Sequence, residues 1–257
     1  METKSVSIRN VRISYREEGT DGQDILYIHG NTGCNLWFEK VMSQDGCRVF
    51  APDMPNFGGS GHIDTADIDL YADFMAEFCT TLGLTDPVVV GHSLGGGVAM
   101  SLAVRYPDLP SSLLLVDSCA PGGLHTPEEH YAAIEMFRTN RDMLLQALAA
   151  TTPTLRDPDF LDRLVDGAMN MNAIAFEGNA RALDAFSVAG RTMTFPKPVR
   201  VVHGDRDIII TREMAQETAD AFPAGSVVFL ENVGHSVMVE DPQRFTEILQ
   251  DFIFGRS

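Results

Sequence analysis

Positive charge is scarce in this 257-residue chain: 19 Lys and Arg stand against 36 Asp and Glu, a formal net charge of −17. Such a surface repels phosphate backbones and anionic lipid, so neither nucleic acid nor a membrane is an expected partner. Solubility is the ordinary consequence of the acidity. Cysteine is scarce too. Cys34, Cys47, Cys79 and Cys119 form no CxxC pair and no Cys/His zinc spacing, which leaves reduced, mostly buried thiols as the expectation. The N-terminal "METKSVSIRNVRISYREEG" has no apolar leader core, so a cytoplasmic protein is expected. Long uncharged runs are limited to residues 87–104, and that stretch holds Pro87, His92, Ser93, Ser101 and four glycines. It divides into a β-branched piece and an Ala/Leu/Met piece, which fits a strand and a buried helix better than a membrane span. Internal repeats and low-complexity tracts are absent.

What is present alternates. "KSVSIRNVRISYREEG" predicts an antiparallel hairpin about Asn10. Short apolar strands follow in "DILYIHG", "CRVFAP", "VVVG", "SSLLLVDS", "KPVRVVHGD" and "SVVFLENVGH". "VVVG" has no polar alternation, as in a parallel-sheet strand buried on both faces. Between strands lie helical patterns. Leu70, Phe74, Phe78 and Leu82 recur at helical spacing and stop at Gly83. Strands alternating with helices predict an α/β fold with a mostly parallel, doubly wound central sheet flanked by helices. The alternation breaks from 120 to 196, where Met, Leu, Phe and Ala recur without a convincing strand. The expected division is therefore a core of 1–119 and 197–257, with 120–196 inserted as a helical cap over the sheet's carboxyl edge.

The chemistry centres on "GHSLGGG", residues 91–97. No lysine follows these glycines, so they are no P-loop, and their spacing is not G-x-G-x-x-G. They fit G-x-S-x-G between a strand and a helix, where the glycines let the two approach closely and Ser93 is held clear of the sheet. A serine hydroxyl needs a base. Of seven histidines, His235 alone combines a loop after the last predicted strand with a position before the last helix. His92 neighbours Ser93, but its side chain should point the other way. His29 ends a strand and should pack or hydrogen-bond beneath the following loop. The base needs an acid to fix its tautomer. Asp205, Asp207 and Asp117 all follow strands and are candidates. "HGNTGCNLW" offers backbone amides for an oxyanion, with Asn31 N–H and Leu94 N–H as the expected pair.

The motifs "HGNTG", "DMPNFGGSG", "GHSLGG", "HGDRD" and "GHSVMVEDP", in that order over nearly the whole chain, resemble the capped branch of the α/β-hydrolase fold family. The resemblance implies an acid three residues after Gly204, which is Asp207, 28 residues before His235. Some relatives take the acid from the strand end where Asp117 lies. Relatives that open epoxides or displace halide carry aspartate at the position of Ser93, which disfavours those chemistries. Relatives that cleave C–C bonds of ring-fission products usually have tryptophan after the histidine and asparagine before the serine, where this chain has Ser236 and His92. Cofactor-free perhydrolases share the serine triad.

The expectation is thus a serine hydrolase cleaving an apolar carboxylic ester or lactone through an acyl-serine, with no metal or organic cofactor, acting as a monomer or homodimer. A ligand-binding receptor on the same fold is the non-enzymatic alternative. Met136, Phe137, Leu144, Leu145, Phe160, Met169, Met171 and Phe176 are the candidates to line an apolar substrate pocket.

Overall fold

The computed structural model describes residues 2–255. The chain runs β1 (Thr3–Ile8), β2 (Val11–Glu18), β3 (Gln23–Ile28), β4 (Cys47–Pro52), α1 (Ile68–Leu82), β5 (Val88–His92), α2 (Leu94–Arg105) and β6 (Ser112–Val116). Four helices come next: α3 (Glu128–Met136), α4 (Arg141–Thr151), α5 (Pro158–Met169) and α6 (Ala173–Ala185). The chain then resumes β7 (Val199–Gly204), α7 (Arg212–Asp220), β8 (Gly225–Leu230), α8 (Val237–Glu240) and α9 (Pro242–Phe254). Single-turn 3₁₀ geometry appears at Thr192–Thr194, and a longer 3₁₀ stretch covers Asn35–Val41.

The eight strands form one sheet in the order β1-β2-β4-β3-β5-β6-β7-β8. Pairing is antiparallel for β1–β2 and β2–β4 and parallel from β4 through β8, which meets the fold class expected from the sequence. The β1–β2 hairpin turns on Arg9 (φ 50°) and Asn10 (φ 64°), the two positive-φ residues that a tight turn compatible with strand twist requires. Helix α1 is capped at both ends: Asp67 accepts the Leu70 N–H, and Gly83 takes the left-handed conformation at φ 68°.

Every residue of β5 and β6 is buried, so alternate side chains feed two cores on opposite faces of the sheet. Leu26, Ile28, Val89, Leu113 and Leu115 join α1 and α2 in one core. Ile25, Tyr27, Val88, Val90, Leu114 and Val116 join Trp37, Phe38 and α9 in the other. Three of the four consecutive helices contribute to these cores. Helix α6 supplies Phe176 and Leu183 to the first core, while α4 and α5 supply Leu144, Leu148, Phe160 and Leu164 to the second. All four cysteines are buried. No helix among the described residues is long and apolar enough to cross a membrane.

Helix α2 can sit against the sheet only because two residues lack a side chain. A Cβ on Gly91 would run into the Gly95 carbonyl, and a Cβ on Gly95 would run into the Ile28 and His29 carbonyls. Backbone, unlike a flexible side chain, cannot step aside. Gly95→Ala is therefore expected to destabilise the protein by about 1–3 kcal/mol, the usual cost of overpacking. Urea unfolding checks this: a lower midpoint with an unchanged slope is expected, and a wild-type midpoint would contradict the close approach.

Candidate active site

Three strand ends and one late loop build the site. At the end of β3, His29 is fully buried. Its Nε2 accepts the Met54 N–H at 3.1 Å, so its proton sits on Nδ1, which donates to the Gly30 carbonyl at 2.9 Å. Burial pushes this imidazole down to about 4, so it is a neutral strut beneath the loop that follows. In that loop Asn31 Oδ1 accepts the Thr32 N–H at 2.9 Å and the Asn179 amide at 3.0 Å. Asn179 lies on α6, is fully buried, and accepts the Tyr71 hydroxyl at 3.0 Å. A three-residue chain of hydrogen bonds thus ties the loop to α1 and α6. The Asn31 backbone N–H points to no partner among the described residues.

At the end of β5 the chain turns sharply into α2. Ser93 occupies φ 54°, ψ −118°, a conformation that costs a non-glycine residue energy and that the surroundings must impose. Its N–H donates to the Val116 carbonyl at 3.0 Å, and its own carbonyl accepts the Gly96 N–H at 2.9 Å. Leu94 opens α2, so its N–H belongs to the unpaired first turn of the helix. The His92 ring lies tilted against that of His235, with centroids 5.0 Å apart, and shares the cavity wall with Ser93. Its Nε2 donates to the His235 carbonyl at 2.8 Å, and its face stacks on Trp37 with centroids 5.6 Å apart. Burial, with the neighbouring His235 charge, pushes His92 down to about 3.

His235 lies between β8 and α8. Its Nδ1 donates to Asp207 Oδ2 at 2.7 Å. In the neutral ring this leaves Nε2 as the lone-pair nitrogen. The other oxygen of Asp207 accepts the Ile209 N–H at 2.7 Å and the Ile210 N–H at 3.1 Å. Both side chains are nearly or wholly buried. Burial alone would raise the Asp207 carboxyl, but the hydrogen bond and charge of His235, with the two amides, hold it below the ordinary range. Burial alone would lower His235. The Asp207 hydrogen bond and charge, with smaller contributions from Asp117 and Glu240, raise it above its ordinary value of 6.5.

The structure separates the three aspartates. Asp207 meets His235, and Asp205 is exposed. Asp117 is buried at φ 43° and accepts the Gly204 N–H at 3.0 Å, with His203 Nδ1 lying 3.2 Å away. Burial pushes its carboxyl up to about 6. Asp117, His203 and Asp207 bring ligand-type atoms within 4.8 Å of one another. Asp207 is engaged by His235 and two amides and Asp117 Oδ1 by Gly204, while Asp117 Oδ2 and His203 Nδ1 have no hydrogen-bond partner among the described residues.

Ser93 and His235 share the wall of a cavity of about 170 Å³. No hydrogen bond joins Ser93 Oγ to His235 among the described residues, and such contacts commonly tighten only when substrate is bound. Asn31, Thr32, Trp37 and His92 complete the core side of the wall, and Ile209 adds to it from the Asp207 loop. Larger hollows lie elsewhere. One of about 500 Å³, lined by Asp67, Asp69 and Arg181 among others, contains neither Ser93 nor His235.

Of the eight pocket candidates read from the sequence, Phe137 and Leu144 line this cavity. The other six lie elsewhere. Met136 is 51% exposed. Leu145 and Met169 pack against the Trp37-side core, and Phe160 is buried in it with Lys40 Nζ 4.2 Å from its ring centre. Met171 and Phe176 are buried in the opposite core. The inserted helices have apolar surface to bury against the sheet and against one another, and composition does not say which face meets the cavity. The residues passed over are Ile134, Ala147, Leu148 and Thr151. A signal existed: Leu144, Ala147, Leu148 and Thr151 form an i, i+3, i+4, i+7 stripe along one face of α4.

A sequence profile described as the alpha/beta hydrolase family matches residues 25–248. Lipase 1 of Psychrobacter immobilis is 28% identical over 258 residues, covering 93% of this chain and 80% of its own. The 2-hydroxymuconate semialdehyde hydrolase of Pseudomonas sp. (strain CF600) is 24% identical over 264 residues, covering 97% of this chain and 93% of its own. Among solved structures, the enol-lactonase from Burkholderia xenovorans LB400 aligns with a TM-score of 0.87 at 19% identity, covering 97% of this chain and 99% of that one.

The electrostatics yield a measurable outcome independent of activity. In a ¹⁵N-edited NMR titration, the His235 imidazole is expected to take up its proton above pH 6.5, its ordinary value. Asp207→Asn removes the dominant stabilising charge, so the midpoint should fall. An unchanged midpoint in Asp207→Asn would show that another group, with Asp117 the nearest candidate, sets the proton affinity of His235.

Proposed function

This chain belongs to the alpha/beta hydrolase family, and from that premise we propose that it is a serine hydrolase cleaving a small, neutral carboxylic ester or lactone through an acyl-serine. The observation that carries the reading is the 2.7 Å His235–Asp207 hydrogen bond set beside Ser93, itself held in a strained strand–helix turn at a cavity wall.

In this mechanism Ser93 Oγ attacks the substrate carbonyl carbon while His235 Nε2 takes the hydroxyl proton. Asp207 keeps the other ring proton on Nδ1 and stabilises the imidazolium. The carbonyl oxygen becomes an oxyanion, held by the Asn31 and Leu94 N–H groups. The tetrahedral species collapses, the C–O bond breaks, and His235 gives its proton to the leaving alkoxide. Water then enters, loses a proton to His235 and attacks the acyl carbon; the second tetrahedral species expels Ser93 Oγ, which takes that proton back from His235 as the acid leaves. The helical insertion of 120–196 acts as a cap, since Phe137, Leu144 and Leu148 form the apolar side of the cavity.

The lining favours ester or lactone cleavage over C–C cleavage of ring-fission products. It contains no Lys, Arg, Asp or Glu, and His92 and His235 are its titratable members. A substrate carrying a carboxylate, as the muconate skeleton of the Pseudomonas relative's substrate does, would enter without a cation to meet it, and burying an unpaired charge is costly. The modest volume fits a short acyl group or small ring.

A hydrolysis screen tests the reading. Short p-nitrophenyl esters and simple lactones should turn over, with rates falling as the acyl chain lengthens, while an anionic vinylogous diketone should not. Ser93→Ala should lower kcat by about 10³-fold or more with the fold intact. Because His235 must be neutral to act as base and its proton affinity is raised, kcat/KM should climb with pH through a midpoint above 6.5. Retention of most esterase activity in Ser93→Ala would overturn the mechanism.

A further inference from the structure

Glu240 ends helix α8, five residues after His235, and is half-buried. Its carboxylate accepts four hydrogen bonds. Two come from the amides flanking His235: Gly234 N–H to Oε2 at 3.1 Å and Ser236 N–H to Oε1 at 3.1 Å. Two come from Thr154, in the loop after α4: its N–H at 3.1 Å and its hydroxyl at 2.7 Å, both to Oε2. No cation pairs with Glu240 among the described residues; its charge is met by neutral donors.

The same junction is fastened a second time. The His235 N–H donates to the carbonyl of Thr151 at 2.9 Å, and Thr151 also lines the cavity. Gly234 is pressed into the contact so closely that a Cβ there would meet Pro153, the Thr151 carbonyl and Glu240 Oε1. The loop carrying His235 is therefore fastened to the end of α4 as well as to the sheet, where His92 Nε2 meets the His235 carbonyl at 2.8 Å and the Arg206 N–H meets the Val233 carbonyl at 2.9 Å. That helix presents Leu144, Ala147, Leu148 and Thr151 to the cavity.

We propose that Glu240 is a positioning residue that locks the His235 loop to the end of α4, so that the base and the cavity wall move as one body. A substrate group pressing on α4 then adjusts the imidazole directly, and a loose α4 leaves the base misaimed. This deepens the serine-hydrolase reading and rests on it. A displacement of about 1 Å at a reacting group can cost about 10²-fold in rate, so a clamp of this kind acts on turnover more than on binding.

The experiment compares wild type, Glu240→Gln and Thr154→Val by ester kinetics, by the rate of Ser93 labelling with a fluorophosphonate, and by His235 NMR. Glu240→Gln keeps the shape but replaces one acceptor oxygen with a donor. It should lower kcat and the labelling rate per active site by about 10- to 100-fold with KM changed by less than about threefold. The groups facing His235 are Asp207, Asp117, Glu240 and His92. Removing the Glu240 charge lowers the proton affinity of His235, so the acid limb of kcat/KM should move to lower pH. Thr154→Val keeps that charge and one of the two Thr154 bonds. It should lower kcat less and leave the acid limb in place.

Wild-type rates per labelled site in both variants would overturn the proposal, even if thermal stability falls, because a purely structural role reduces the amount of folded enzyme and not its rate. If the wild type neither labels nor hydrolyses any ester, the hydrolase reading fails by itself. The NMR arm still decides on Glu240 in that case: an Asp207-bonded His235 proton resonance unchanged in position and width in Glu240→Gln would refute the clamp.

Discussion

The approach of helix α2 to the sheet governs the rest of the molecule. With Gly91 and Gly95 lacking side chains, the first turn of the helix lies on the carbonyls at the end of β3. The chain can then pass from strand to helix in one residue, and that residue, Ser93, is forced to φ 54°. The turn aligns three things that a looser connection would scatter: the Ser93 hydroxyl, the free amide of Leu94, and the loop after β3 that brings Asn31. Rigidity there comes from backbone contacts on both sides, including the Ser93 N–H bond to β6. Strain at one residue is sustained because the two buried cores over-determine its position.

Electrostatics divides three neighbouring histidines by partner. His29 and His92 are buried against backbone carbonyls and fall to about 4 and about 3. His235 is as deeply buried yet raised, because a carboxylate faces its Nδ1. Two aspartates divide the same way. Asp207, paired with His235, is held low, whereas Asp117, wholly buried, is pushed up to about 6 by desolvation. Neutral imidazoles thus serve as struts around a single imidazole able to exchange a proton, which is the arrangement the proposed base requires.

Much of this was legible in the sequence. The uncharged run 88–91 and the glycines around Ser93 specify a buried strand and a tight turn by sterics alone, and both are found. The choice among Asp117, Asp205 and Asp207 was not legible from residue chemistry, since all three follow strands; the resemblance to a known family pointed to Asp207. The lining of the cavity was read least well. Met171, Phe176 and Phe160 have the apolar character of a pocket wall but are consumed by the two cores, because helices over a sheet edge bury more than one face. Glu240 and Asn179 were invisible for a different reason. A glutamate in "VEDP" reads as an ordinary helix-start acid, and an asparagine in mid-helix reads as a surface residue. Only tertiary contact gives one its four donors and the other its place between Tyr71 and Asn31.

The proposed acyl-serine route is tested most directly by rapid acid quench and mass spectrometry after mixing the protein with a short p-nitrophenyl ester. The expected result is an acyl adduct on the peptide that contains Ser93, formed within the first turnover and absent in Ser93→Ala. Turnover with the adduct on any other residue, or an adduct that persists in Ser93→Ala, would contradict it.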